Sequence, residues 1–400
     1  MTSSWVPFAP DSGFGLANLP YGVFTRRGRD RAIGVAIGDD VLEVAPVARA
    51  HGLACADALR APVLNPFLAL GPAAWSELRS ALVAWLSDED FRLTVDPHLH
   101  KRSDVTLHLP FEVADYVDFY SSEHHALNIS RVLRPEAPTL APAWKHLPIG
   151  YHGRAGTVVV SGTDVVRPRG QWRREPASGP DGQGREGDVI TVGPTQRLDI
   201  EAEVGFVVGV PSRIGEPVAL ADWRDHVFGL CLLNDWSARD IQAFETIPLG
   251  PFLGKSFLTS ISPWVVPLAA LDAAWIAPPP RDPAVADYLD DAGRTDALSL
   301  QLTVRINGEV VTRPPFSAMY WTAAQQLAHL TVNGASLRTG DLYASGTVSG
   351  PAADQVGCLM ELGTGFLNDG DVVTISATAP AADLSTISLG EVTGTVISSV

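Results

Sequence analysis

Cysteine is scarce in this sequence: three residues, Cys55, Cys231 and Cys358, in 400 positions. They lie far apart and form no CxxC pair, which excludes a disulfide framework. Structural thiols in a reducing compartment are the expectation. Basic residues are short as well, 29 Lys and Arg against 45 Asp and Glu, for a formal charge of −16. A nucleic-acid binder needs a basic footprint, so that class is excluded. No apolar run approaches the ~20 residues of a membrane span. The opening MTSSWVPFAPDSG has neither a basic n-region nor an apolar h-region, so a cytoplasmic protein with no membrane association is expected. Internal repeats and low-complexity tracts are also missing.

What is present is an ordinary globular make-up, 46% hydrophobic and 18% charged. At this length it supplies ample core and favours more than one domain. Ala32 to Val44, AIGVAIGDDVLEV, reads as a hairpin around Gly38-Asp39-Asp40. Trp75, Leu78, Leu82, Trp85 and Leu86 recur at helical spacing after Pro72, an amphipathic helix. Neither carries chemistry. A polar KRSD follows, and a boundary falls there: residues 1–108 are expected as a small β unit and 109–400 as a large one. In the second unit Ser299 to Thr312 is a strong hairpin on the type I′ pair Asn307-Gly308. Helices are few, Met319 to Val332 being the clearest. Pro168 to Gly187 and Ala277 to Pro283 read as loops by composition. A mainly β (α+β) protein is expected, its large sheet mixed and mostly antiparallel.

Polar residues stand where strand burial predicts apolar ones. In RLDIEAEVGF, Asp199, Glu201 and Glu203 share one strand face. If covered, such carboxylates repel and need a cation or a proton. In DYVDFYSSEHHALN, Tyr116, Asp118 and Tyr120 share a face, and His124 and His125 follow. The apolar run FGLCLL ends in Asn234 and Asp235, with Arg239 and Gln242 within two helical turns. Lys255 sits alone among small and apolar residues with no acid nearby in sequence. Each has a bland reading as a turn, cap or solvated edge. Jointly, Asp118, Glu201, Glu203 and Asp235 make an oxygen cage that suits Ca2+ or Mg2+ better than zinc. Their spacing matches no local metal motif.

DFYSSEHHALN, PAWKHLPIGYHGRAGTVVVSGT, DIEAEVGFVVG, NDWSARDIQ, PLGPFLGKSF, TVNGASLRTGDLYASGTVSGP and the opening LPYGVFTRRG resemble the fumarylacetoacetate hydrolase family, in order and along nearly the whole chain. NDWSARDIQ and LGKSF are shared across the superfamily; DFYSSxxHA and HLPIGYHGRA are the specific stretches. The resemblance implies a small SH3-like β-barrel domain followed by a β-roll domain. It implies hydrolysis of the β-diketone 4-fumarylacetoacetate to fumarate and acetoacetate, the last step of tyrosine and phenylalanine catabolism, in a homodimer. It also implies metal ligands at Asp118, Glu201, Glu203 and Asp235, with Lys255 and Thr259 at a nearby Mg2+ site. By the same likeness His125, directly before Ala126, is the base, oriented by Glu361 in GCLMELG. Arg239, Gln242 and Lys255 fall on the oxyanion set, and Tyr120, Arg134, Tyr151 and Thr347 on substrate contacts. His124 acquires no role. Two departures stand out: Thr246 replaces a tyrosine often found before PLGPFLG, and the segment after Glu361 is short. Rival readings are an acylpyruvate hydrolase, a 2-oxo-enol diacid isomerase or decarboxylase, and a non-catalytic metal-stabilised binding protein.

Overall fold

The computed structural model of the chain describes residues 4–9, 11–174 and 189–400. The first sheet is antiparallel, in the order Leu99–Lys101, Asp40–Glu43, Ala32–Ile37, Tyr21–Thr25, Thr106–His108. Its hairpin turns at Gly38-Asp39, as the sequence pattern requires. The Pro72–Ser87 helix buries Leu78, Leu82, Trp85 and Leu86 against this sheet's residues and carries Pro72 at its first turn, where the missing N–H is no loss.

A second sheet runs Gly150–His152, Tyr116–Phe119, Leu342–Ala344, Ala202–Val208, Val227–Asp235, Thr259–Ile261, Val158–Val160. Two of its pairings are parallel, Leu342–Ala344 with Tyr116–Phe119 and Thr259–Ile261 with Val158–Val160; the others are antiparallel. A third sheet orders Glu309–Thr312, Gln301–Ile306, Val372–Pro380, Thr386–Ile397 and Val165–Val166. The Asn307-Gly308 hairpin forms, with Asn307 at φ 53°.

Period-two alternation explains how the middle sheet is sandwiched. Val204, Phe206, Val208, Leu230 and Leu232 pack with Val373, Ile375, Leu389 and Val392 of the third sheet and with the Ala323–Thr331 helix. The intervening Val207, Cys231, Leu233, Ile261, Leu342 and Ala344 join Val23, Val35, Leu78 and Phe67 of the N-terminal unit. Both faces are covered, so its central strands read as near-continuous apolar runs. One apolar cluster therefore crosses from residues before 108 to residues after it, and Tyr21 pairs with Val265.

Two local readings change. Residues 169–174 are not loop: Arg169–Arg174 is a strand, paired in register with Val189–Pro194. A two-stranded ribbon gains its order from cross-strand partners some twenty residues away, which composition does not reveal; residues 175–188 lie outside the described residues. The helix expected from Met319 starts at Ala323, because Thr322 and Gln325 form a reciprocal capping box.

Gly346 shows how tightly the middle sheet closes on its connections. It has φ +74°, and a Cβ there would meet the Phe119 carbonyl oxygen at 2.0 Å. The Gly346→Ala variant is expected to lose about 2 kcal/mol or more of stability, from left-handed strain plus overpacking. Denaturant unfolding checks this; an unchanged midpoint would contradict the packing described.

Candidate active site

The same alternation that splits the core assembles the polar site. Asp118 has the parity of Tyr116 on its strand, Glu203 that of Val207, and Asp235 that of Cys231 and Leu233, so all three project to the face that carries the N-terminal cluster. Strand register then juxtaposes them: Ala344 pairs with Asp118, Ala202 with Asn234, and Asp235 with Thr259. The chain departs from strand geometry at Ile200 and Glu201, and the Glu201 N–H donates to the Asn234 side chain at 3.1 Å. Carboxylate oxygens of Asp118, Glu201, Glu203 and Asp235 come within 4.8 Å of one another, all four residues buried.

Three cations enter this cluster. Lys255, 3% exposed, donates to Glu201 and, at 2.7 Å, to Asp235. Thr259 donates to the other Asp235 oxygen at 2.8 Å. An ammonium has no lone pair for a cation, so Lys255 serves here as a donor to Glu201 and Asp235, while the Thr259 hydroxyl donates to Asp235 and keeps its oxygen lone pairs. Arg154 was absent from the sequence-derived set, yet its guanidinium bridges Asp118 at 2.8 Å and Asp235 at 2.5 Å. It stacks over Tyr116 and Tyr151, and the Tyr151 hydroxyl donates to Asp118 at 2.9 Å. The available signal was its place in HLPIGYHGRA, next to Gly153; in the structure it takes a left-handed φ of 53°. Arg239 donates to Asp199 (2.8 Å), Glu201 (2.7 Å) and the Gln242 side-chain oxygen (3.2 Å). Asp199, the third carboxylate of RLDIEAEVGF, is fully buried and also accepts the backbone N–H groups of Leu359 and Met360.

The charges do not balance. Among the described residues the four clustered carboxylates meet Arg154, Lys255 and Arg239, and Arg239 is shared with a fifth carboxylate, Asp199. Both oxygens of Glu203 are buried without a hydrogen-bond partner among the described residues. Burial, reinforced by Asp118, Asp235 and Glu201, pushes the Glu203 carboxyl well above the usual range. Burial also raises Asp118, against the pull of Arg154. Burial opposes the charged form of Glu201 too, but Lys255, Arg239 and His125 overcome it and hold that group low. A buried, unpartnered carboxylate beside three others fits an oxygen-preferring divalent cation, Ca2+ or Mg2+, and the donor set contains no soft ligand.

Beside this cluster stands His125. Ser122 caps the Glu123–Leu133 helix by accepting the His125 N–H at 3.1 Å, which fixes the imidazole in the first turn. His125 Nδ1 lies 2.7 Å from Glu361 Oε2, across 236 positions of sequence. Burial opposes ionisation of Glu361, but the His125 charge and hydrogen bonds from His125, Asn128 and Ser349 bring its pKa down to about 2. An ionised Glu361 fixes the proton on Nδ1 and leaves the Nε2 lone pair free. The Tyr120 ring meets the imidazole edge-on at 5.3 Å, and the Tyr120 carbonyl accepts the Trp144 indole N–H at 2.9 Å.

The remaining sequence-derived residues are more peripheral. Arg134 is exposed at the end of the His125 helix and lines, with Tyr120, Ala126 and Leu140, a cavity of about 180 Å³. Thr347 is buried directly after Gly346. Thr246, at the end of the Arg239–Glu245 helix, donates to the Gln242 carbonyl at 2.5 Å.

Residues 17–110 match the family model described as fumarylacetoacetase N-terminal, and residues 114–397 the model described as fumarylacetoacetate hydrolase C-terminal. The chain is 44% identical to the fumarylacetoacetase of Bos taurus over 93% of this chain and 94% of that one. It is 41% identical to the fumarylacetoacetase of Arabidopsis thaliana over 100% and 99%. Among solved structures, fumarylacetoacetate hydrolase from Exiguobacterium antarcticum aligns at 17% identity with a TM-score of 0.56, covering 95% of this chain and 99% of that one. Maleylpyruvate hydrolase from Sphingobium aligns at 16% with a TM-score of 0.53, covering 95% and 100%. At such identities these two likenesses concern the fold alone. With both halves matched by the family's models and its relatives aligned almost end to end, the chain belongs to the fumarylacetoacetate hydrolase family.

Proposed function

We propose that this enzyme hydrolyses the carbon–carbon bond of 4-fumarylacetoacetate, releasing fumarate and acetoacetate as the last step of tyrosine and phenylalanine catabolism. The observation that carries the reading is a histidine–carboxylate dyad set against a four-carboxylate cluster.

In this reading His125 Nε2 takes a proton from water, while Glu361 holds the ring and stabilises the imidazolium that forms. The hydroxide adds to the carbonyl carbon of the fumaroyl group itself and makes a tetrahedral alkoxide. Arg239 is suited to receive that charge, because its second terminal nitrogen is buried with no partner among the described residues. Lys255 and Gln242 complete the donor set; losing one such donor typically lowers turnover ~10²-fold or more. Collapse breaks the bond to the neighbouring methylene, whose electron pair passes into the acetoacetate enolate, and the imidazolium returns the proton to that carbon. Asp118, Glu201, Glu203 and Asp235 would hold a Ca2+ or Mg2+ ion, which when bound supplies Lewis-acid stabilisation of charge on the diketone oxygens. Tyr120, Tyr151, Thr347 and Arg134 are the proposed substrate contacts, Arg134 as a guanidinium for a terminal carboxylate.

Residues 1–108 and 109–400 serve in this reading as a supporting unit and a catalytic unit. A homodimer is supported by a run of exposed apolar side chains near the site, Ile247, Leu249 and Phe252, at 88%, 97% and 68% exposure. Three buried, unbridged cysteines support a reducing, cytoplasmic setting, and among the described residues no helix is long and apolar enough to cross a membrane.

A steady-state assay tests the substrate. Fumarylacetoacetate is expected to turn over with a kcat/KM at least about tenfold above that for acylpyruvates, since a site built for a second carboxylate loses a charged contact to the shorter acid. Activity confined to acylpyruvates would overturn the assignment.

A further inference from the structure

Glu361 is served by more donors than a ring-orienting carboxylate requires. Its side chain is fully buried, on a helix of only four residues, Leu359–Leu362. Besides His125, three side chains reach it: Asn128 Nδ2 donates to Oε1 at 2.9 Å, Ser349 Oγ to Oε2 at 2.9 Å, and Cys358 Sγ to Oε2 at 3.3 Å. These come from separate parts of the chain. Asn128 lies one turn beyond His125 on the same helix. Ser349 sits in the segment whose carbonyl accepts the Ser122 hydroxyl at 3.0 Å, and its own hydroxyl accepts the Gly357 N–H at 3.1 Å. Cys358 is the residue preceding the Glu361 helix.

The amide of Asn128 has a fixed sense. Arg131, one turn further along and exposed, donates to Asn128 Oδ1 at 2.7 Å, so the amide nitrogen is the atom turned toward Glu361. A chain of hydrogen bonds thus runs from the surface through Arg131, Asn128 and Glu361 to His125. Inside a buried site such a carboxylate stays ionised and in one rotamer only while its lone pairs are met. A carboxylate that swung away or took up a proton would no longer accept from Nδ1, and the free lone pair on Nε2 would lose its fixed direction.

We propose that Asn128, Ser349 and Cys358 are positioning residues for the reaction: by saturating Glu361 they hold it in the single geometry that aims His125 Nε2 at water. This rests on the dyad reading above. Among the described residues none of the three is hydrogen-bonded to the carboxylate cluster, and each reaches the site through Glu361, so they are expected to act on the chemical step rather than on binding.

The test is a double-mutant cycle on the full-length, cation-loaded enzyme with fumarylacetoacetate, reading kcat, KM and melting temperature. Asn128→Ala is expected to lower kcat about tenfold, the worth of a hydrogen bond to a charged group, with KM within about twofold of the parent. In the Glu361→Gln background the same substitution is expected to change kcat less than about twofold, because the group it acts through is already altered. Cys358→Ala is expected to lower kcat a few-fold and Cys358→Ser to restore it; this pair repeats the cycle if Asn128→Ala does not fold. Equal losses in both backgrounds, or a raised KM with kcat unchanged, would overturn the proposal while leaving the dyad intact. Full turnover in His125→Ala would instead remove the dyad itself, and the positioning role with it.

Discussion

His125→Ala is expected to lower kcat by roughly 10² to 10⁴, the usual worth of a general base, with cation content unchanged. The structure gives a reason why folding should survive. His125 is 4% exposed but is not a structural keystone: its backbone N–H remains on Ser122, and Glu361 keeps Asn128, Ser349 and Cys358 as donors when the imidazole goes. The variant leaves a cavity beside Tyr120 and takes one of four side-chain donors from the buried Glu361 carboxylate, which keeps the other three. Steady-state hydrolysis of fumarylacetoacetate, with calorimetric titration of Ca2+ and Mg2+ on the same preparation, separates the two properties. Loss of turnover with full cation binding is the expected outcome. Unchanged turnover would leave a metal-stabilised protein whose histidine does no chemistry.

Glu203→Gln is expected to act in opposite directions on the metal-free and metal-loaded states. In the metal-free protein Glu203 is a buried carboxyl with no donor on either oxygen among the described residues, held above the ordinary range first by burial and then by Asp118, Asp235 and Glu201. The sign follows from linkage: with the folded pKa raised, stability is complete below the unfolded value and is lost as pH rises through the folded one. Glutamine has the shape of the protonated acid and cannot ionise. Metal-free Glu203→Gln is therefore expected to melt no lower than the parent near neutral pH, and higher at more alkaline pH. The loaded state behaves otherwise. A carboxylate ligand has been removed, and because even residues that only orient ligands change affinity about 10–100-fold, cation affinity is expected to fall by about 100-fold or more. Asp235 makes a useful contrast. It already accepts from Arg154, Lys255 and Thr259, so Asp235→Asn leaves two buried cations short of a counter-charge and should destabilise even the metal-free protein. Thermal melts in chelator across pH, followed by cation titration, check both. A metal-free Glu203→Gln that melts well below the parent would mean that Glu203 has a structural partner and is not waiting for a cation.

Much of the site was legible before the fold, but unevenly. His125 was legible through the stretch DFYSSEHHALN, whereas the Ser122 cap three residues before it, though a local event, was not read from the sequence. The exposed or buried state of RLDIEAEVGF was not legible, and the structure resolves it residue by residue. Glu203 faces the carboxylate cluster, Glu201 is shared between Lys255 and Arg239, and Asp199 turns to anchor Arg239 and the Leu359–Leu362 helix. Alternation along one strand could not separate these roles, since the strand breaks at Ile200. Lys255 looked isolated because its acids lie 20 and 54 positions away. Arg154 went unassigned for the same reason, its partners being 36 and 81 positions distant.

By itself the amino-acid order determined what depends on neighbours within a turn or a strand: the two hairpins, the Pro72–Ser87 helix, the cap that sets His125, and two apolar faces on the central strands. Tertiary structure alone decided which charges meet. Register across the middle sheet brings Asp118, Glu203 and Asp235 to one face, and the crossing of distant segments puts Arg154, Lys255 and Glu361 against them or against His125. Local conformation follows from sterics and hydrogen bonds over a few residues, whereas the state of a buried charge is set by whatever the whole fold places within a few ångströms of it.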